Sequence, residues 1–135
     1  MILKSERVFA VRILKNLMCP ARDGVMLATN VYLPEGEEAV PVILMRTPYG
    51  KCTSIREKPY SHYTMLVEAG YGVAVQDCRG TGISQGRMNL NGINEHEDGY
   101  DAVEWLAKQD FCNGKIGMYG LSYFGFTQLA AAAQG

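Results

Sequence analysis

Residues 117–135 read GMYGLSYFGFTQLAAAAQG, and the turn inside them decides the fold. A short apolar strand ends at Tyr119, Gly120-Leu121-Ser122-Tyr123-Phe124-Gly125 follows, and an alanine-rich helix is expected over Tyr123–Gln134. A serine hydroxyl is a weak nucleophile. It needs exposure, a base, and donors for the oxyanion that forms when it attacks a carbonyl. A sharp strand-to-helix turn supplies two of these: it lifts the side chain off the sheet and aims the first backbone N–H of the helix at the same place. Gly120 stands two residues before Ser122, as the general G-x-S-x-G pattern asks, but Phe124 fills the second glycine position and Gly125 comes one residue late. The residues alone leave two readings open. One is a catalytic serine on a nucleophile elbow; the other is a serine N-cap between glycines that suit helix–sheet packing.

Upstream, residues 7–18 and 25–33 read as strands joined by a turn at Ala21-Arg22-Asp23-Gly24, with Val25, Leu27, Thr29 and Val31 on one face by period 2. Val42-Ile43-Leu44-Met45 is a continuous apolar run, the pattern of a strand buried on both faces. Tyr63–Ala69 reads as a short helix closed by Gly70, and Val73-Ala74-Val75 as a second buried strand ending at Gln76-Asp77. A polar, Gly-rich loop is expected from Cys78 to Glu97, with Asp98 capping a helix that carries Ala102, Val103, Trp105 and Leu106. Lys115–Tyr119 is the fifth strand. The order β-β-β-α-β-α-β-α predicts an α/β fold whose sheet is mostly parallel, with an antiparallel opening hairpin. Ligands of such sheets sit at the C-terminal strand ends. Arg46–Lys51, Asp77–Gly86 and Gly120–Gly125 are three strand exits expected to converge on one edge.

The length of 135 residues suits one domain with a real core. A 47% hydrophobic, 20% charged composition is that of a globular chain, and a formal net charge of −1 gives no electrostatic reason to expect nucleic acid or an anionic membrane as partner. Cys19, Cys52, Cys78 and Cys112 form no C-x-x-C pair, which speaks against zinc. The N-terminus, broken by Lys4, Glu6, Arg7 and Arg12, has neither a secretory signal's apolar core nor a membrane span. Reduced thiols in a cytoplasmic protein are therefore expected.

Several stretches together are more specific than the turn. GMYGLSYFGFTQ resembles the G-x-S-Y-x-G elbow of the X-prolyl dipeptidyl peptidase and cocaine esterase-like family of α/β-hydrolases, whose second glycine is shifted in the same way. RDGVMLATNVYLP is similar to its opening hairpin and PVILMRTPYGK to its third strand and oxyanion loop. GYGVAVQDCRGTGISQG is similar to its fourth strand with the D-x-R-G-x-x-x-S-x-G loop, and EDGYDAVEWLAKQDFCNGKIGMYG to its next helix and fifth strand. The resemblance implies a serine hydrolase that cleaves ester or amide bonds, possible X-Pro dipeptidyl or α-amino acyl groups included, in small molecules or peptides through an acyl-enzyme on Ser122. It implies the phenol of Tyr49 and the backbone N–H of Tyr123 as oxyanion donors, and no metal or organic cofactor. Read from the residues alone, a Tyr49 ring packed under the loop is the preferred reading.

The resemblance also implies that residues 1–135 correspond to the front part of a catalytic domain, without the family's helical cap and C-terminal β-sandwich. In α/β-hydrolases the acid and histidine follow the serine in the chain; residues 123–135 contain neither, and His62 and His96 both precede Ser122. The alternative is a non-catalytic truncated remnant, or a subunit completed by a homo-oligomer or a complementing chain. Two further clusters have plainer readings. Gly80-Thr81-Gly82 is spaced wrongly from Gly86 for a nucleotide loop and is expected to be a rigid turn, with Asp77 and Arg79 pairing or bonding backbone within it. Glu95, His96, Glu97, Asp98 and Asp101 could hold a hard metal, but acids at a helix N-terminus are favoured by its dipole anyway. His62 is expected at the surface and Trp105 in the core.

Overall fold

A computed structural model of the chain describes residues 10–36, 38–52, 62–89, 92 and 94–134. Their elements come in the expected order: β1 (Val11–Pro20), β2 (Met26–Pro34), β3 (Val40–Thr47), α1 (His62–Glu68), β4 (Gly72–Asp77), α2 (Asn94–Ala107), β5 (Cys112–Met118) and α3 (Tyr123–Ala132). Residues 7–9 of the expected first strand and the side chain of His62 lie outside the described residues. The sheet runs β1-β2-β4-β3-β5. β1 and β2 are antiparallel to their neighbours, while β4, β3 and β5 are mutually parallel. The pairs Thr47↔Asp77 and Leu44↔Met118 bring the C-terminal ends of the three parallel strands to one edge.

Strand periodicity sorts the core into two layers. Successive side chains of a strand point to opposite faces. Val42 and Leu44 of β3 and Ala74 of β4 therefore face one way, joining Leu27, Val31 and Leu33 of β2 against Ala102 and Leu106 of α2. Trp105 packs at the margin of this layer, as expected. Met45, Val73 and Val75 face the other way, against Tyr63 and Val67 of α1, with Phe124 of α3 partly buried beside them. Every residue of β4 is buried, which is why Val73–Val75 is a continuous apolar run rather than an alternation. β5 lies at the sheet margin among the described residues, hydrogen-bonded to β3 on one side and largely exposed from Asn113 to Lys115.

Two expectations need correction. Helix α2 starts at Asn94, not at an Asp98 cap; Asp98 sits inside the helix, buried, with both carboxylate oxygens taken by Arg79 at 2.7 and 2.9 Å. Asp77 and Arg79 do not pair with each other; the alternative, a bond to loop backbone, is what Asp77 makes, accepting from Ile83 N at 3.2 Å. Arg79 Nη1 and Nη2 donate to Asp23 at 2.7 and 3.1 Å, Nη2 serving both carboxylates, so one guanidinium ties the β1–β2 turn and the loop after β4 to helix α2. Arg22 makes a parallel tie to Asp101 at 2.8 Å. These partners are distant in sequence, and a planar five-donor group is suited to holding two carboxylates at once.

The Arg79 hydrogen bonds, helped by the Val25 N–H, hold the Asp23 carboxyl below the usual carboxylate range. A depressed carboxyl contributes stability that is complete above its unfolded value, roughly 3.9, and is lost as pH falls through the lower folded value. The stability difference between the protein and its Asp23→Asn variant, measured by urea unfolding, is therefore expected to be constant near neutrality and to close below about pH 4. A difference that persists unchanged at low pH contradicts the pairing.

Candidate functional site

The backbone that leaves β5 turns sharply before α3. The Tyr119 N–H still reaches Leu44 O at 3.2 Å, so the sheet continues to that point. Gly120 then takes φ 135, and a Cβ there would collide with the Cβ of Phe124. That explains the glycine in both torsion and space. Gly125 is less demanding, because a Cβ on it would stand at an ordinary 3.6 Å from Gly120 O. Gln128 Nε2 donates back to Gly120 O at 2.9 Å and to Phe124 O at 3.2 Å, stapling the turn to the helix it launches.

Ser122 adopts φ 58, ψ −128. Among the described residues it shares a positive φ, outside glycine, with Asn16 alone. Asn16 occupies the irregularity of β1 between Leu14 and Leu17, and asparagine tolerates that region; serine does so far less readily. The hydroxyl makes no capping hydrogen bond to α3, although its position is the N-cap. Its carbonyl accepts the first helical bond, from Phe126 N at 3.1 Å. The side chain is exposed, next to a Leu121 that is 80% exposed. A capping serine has extended torsions and a bonded hydroxyl; this one has neither.

Tyr49 lies on the exit of β3. Its backbone N–H bonds Thr47 Oγ1 at 3.0 Å, and the residue is 60% exposed rather than packed under its loop. The ring stands 6.2 Å, centroid to centroid, from that of Phe124, two residues past Ser122. The loop is pinned from below. Asp77, at the end of β4, accepts from Lys51 N at 2.6 Å, Lys51 Nζ at 3.1 Å and Ile83 N at 3.2 Å. Gly82 is a glycine because this carboxylate occupies the space of its Cβ. Asp77 thus holds the Tyr49 loop and the loop after β4 together, which is the structural role expected of it with a different partner.

Tyr123 is anchored by its phenol, which donates to Glu95 Oε1 at 3.3 Å. Burial, and then the Glu95 carboxylate beside it, raise the phenol pKa above its usual value, so it stays protonated as the donor. The other Glu95 oxygen accepts from Arg46 Nη1 at 2.6 Å. Arg46 is 0% exposed; its Nε donates to Gln76 Oε1 at 2.8 Å, and Gln76 Nε2 to Thr29 Oγ1 at 3.0 Å. Sequence reasoning missed Arg46, Gln76 and Glu95. The one available signal was Arg46 directly following an apolar run in a strand with no solvent face, which demands a buried counter-charge. Glu95 passed for an ordinary dipole acid and is instead 4% exposed. Cys19 and Cys78 are buried nearby, and burial pushes both thiols up to about 12, so neither is a thiolate at neutral pH.

The structure thus brings Ser122, Tyr123 and Tyr49 to one edge of the sheet. The Ser122 hydroxyl makes no capping hydrogen bond, and among the described residues no three His, Cys, Asp or Glu side chains converge as a metal would require. No helix among them is long and apolar enough to cross a membrane.

Comparison with known proteins agrees with this architecture. The profile of the X-Pro dipeptidyl-peptidase (S15) family matches residues 23–135. The cocaine esterase of Rhodococcus sp. (strain MB1 Bresler) is 39% identical over 121 residues, 89% of this chain but 21% of that protein. The chain therefore spans about a fifth of the length of that curated relative. An α-amino acid ester hydrolase superposes with a TM-score of 0.80 at 31% identity, covering 97% of this chain and 24% of that one. A CocE/NonD family hydrolase from Staphylococcus aureus gives 0.79 at 28% identity, over 90% and 25% of the two chains. The fold is that of an α/β-hydrolase.

Truncating Asp77 would leave the Lys51 ammonium buried without a counter-charge. Asp77→Ala is expected to destabilise the protein by about 3–5 kcal/mol in denaturant unfolding. A loss under about 1 kcal/mol, the size of a surface pair, would show that the loop does not depend on this contact.

Proposed function

The chain belongs to the X-Pro dipeptidyl-peptidase (S15) family of hydrolases, and from that premise we propose that it carries the nucleophile and oxyanion donors of a serine hydrolase acting on small-molecule esters, amides or peptides. Ser122 Oγ attacks the carbonyl carbon and passes its proton to a base. The C–O or C–N bond of the leaving group breaks as that proton is delivered to it, and water then releases the acyl group from Ser122 by the same steps. The phenol of Tyr49 and the N–H of Tyr123 stabilise the oxyanion of each tetrahedral intermediate. The single observation that supports this most is Ser122 itself: exposed, uncapped and held at φ 58, ψ −128. Strained non-glycine backbone of this kind concentrates at functional sites.

In this reading the acid and the histidine base come after Ser122, in the chain order of α/β-hydrolases. A second reading is a non-catalytic remnant or a subunit that works only with a partner. It is favoured by one observation: His62 and His96 both precede Ser122, the reverse of the α/β-hydrolase order. The four free cysteines, three of them buried, suit a reducing compartment, and we place the protein in the cytoplasm on that ground.

The two readings separate in an ester assay. The 135-residue chain alone is expected to show no saturable turnover of p-nitrophenyl esters, because an unactivated serine lacks proton transfer. Turnover that disappears in Ser122→Ala would instead place the base within these residues. In the full gene product, Ser122→Ala is expected to abolish hydrolysis, and Tyr49→Phe to lower kcat on the order of 10²–10³-fold with the fold intact. Unchanged turnover in Ser122→Ala removes Ser122 from the mechanism, and no turnover by the full gene product leaves the non-catalytic reading.

A further inference from the structure

We propose that Glu95 is a positioning residue of the oxyanion site, holding the turn that carries the Tyr123 N–H at a fixed distance from the strand exit that carries Tyr49. This rests on the reading of Ser122 as nucleophile. Two donors on different elements stabilise one oxyanion only if their separation is fixed, and small displacements of such donors are felt strongly in rate.

The geometry is specific. Glu95 is on α2, an element that bears neither donor, yet its two carboxylate oxygens are divided between the two elements that do. Oε2 takes Arg46 Nη1 at 2.6 Å, and Arg46 is followed directly by Thr47-Pro48-Tyr49. Oε1 takes the phenol of Tyr123 at 3.3 Å, and the backbone N–H of that same residue follows Ser122. A carboxylate is an acceptor with rigid geometry, so the two donors are set relative to one another. Arg46 cannot swing to follow it, because its Nε is held by Gln76 on β4 at 2.8 Å and the guanidinium is planar. A hydrogen-bonded strut therefore crosses β4, β3, α2 and α3. The Ser122 torsions sit between its Tyr123 end and the Gln128–Gly120 staple on the other side of the turn. The tilted contact of the Tyr49 and Phe124 rings is the outer side of the same arrangement.

A merely structural role predicts something different: lost stability with unaltered chemistry in the molecules that fold. Tyr123→Phe separates the two. It keeps the backbone N–H, the edge-on contact with Phe126 and the Arg46–Glu95 ion pair, and removes only the hydrogen bond to Glu95. In the full gene product this variant is expected to lower kcat about tenfold and to weaken inhibition by an alkyl boronic acid by a similar factor, since the tetrahedral adduct on serine needs the oxyanion donors. KM should stay within about twofold and the melting temperature close to that of the parent. Glu95→Gln, which keeps the side-chain shape, should give the same division between kcat and KM, and serves if Tyr123→Phe does not fold. Unchanged kcat and boronic acid affinity per folded molecule, with or without a lowered melting temperature, overturn the proposal while the Ser122 reading stands. Activity that survives Ser122→Ala overturns both.

Discussion

A serine backbone at φ 58, ψ −128 is the constraint around which the rest of this chain is arranged. Such a conformation costs on the order of 1–3 kcal/mol at a non-glycine residue and persists only where the surroundings over-determine it. Here they do so from each side. Gly120 absorbs the turn where no side chain would fit, Gln128 ties the turn's carbonyl to α3, and the Tyr119 N–H keeps the approach in register with β3. The strain is local, but the means of sustaining it reach across the sheet.

The deepest of these is electrostatic. Arg46 is buried completely, and a buried guanidinium is tolerable only with a counter-charge and satisfied donors. Glu95 and Gln76 supply most of that, Gln76 being held in turn by Thr29, which leaves Nη2 without a partner among the described residues. Replacing such a group with packed apolar side chains is often neutral or stabilising. Its presence here couples the parallel strands to the turn at Ser122, a connection that apolar packing, which is non-directional, does not provide. Lys51–Asp77 and Arg79–Asp98 repeat the device at the neighbouring strand exits. Three buried ion pairs line the C-terminal edge of the sheet, where loops would otherwise be the most mobile parts of the fold.

What was legible in the sequence depended on range. The element order, the parallel strands and the convergence of the three exits follow from patterns a few residues long: the Val42–Met45 and Val73–Val75 runs and the period-2 face of β2. The turn carrying Ser122 and Tyr123 was likewise readable, because a strand-to-helix turn announces itself in consecutive residues, whereas Tyr49 was singled out only through the family resemblance. The start of α2 was misplaced because Asp98 is a good capping residue type; its actual bond is to Arg79, 19 residues away. Glu95 was passed over for the same reason, its partners lying 49 and 28 residues distant. A carboxylate near a helix N-terminus looks the same in sequence whether it serves the dipole or a buried arginine. Only the packing of α2 on the sheet decides between them.

The central claim is that Ser122 is held in a conformation its side chain does not favour, for the sake of where that side chain points. Thermal melting of Ser122→Gly and Ser122→Ala beside the parent tests it. Glycine adopts positive φ without penalty, so the account predicts that Ser122→Gly melts higher than the parent, while Ser122→Ala, which keeps the strain and loses no cap, melts close to it. If Ser122 were an N-cap, alanine would cost about 1 kcal/mol and glycine a few tenths. A lowered melting temperature in Ser122→Ala, with no gain in Ser122→Gly, would contradict the account.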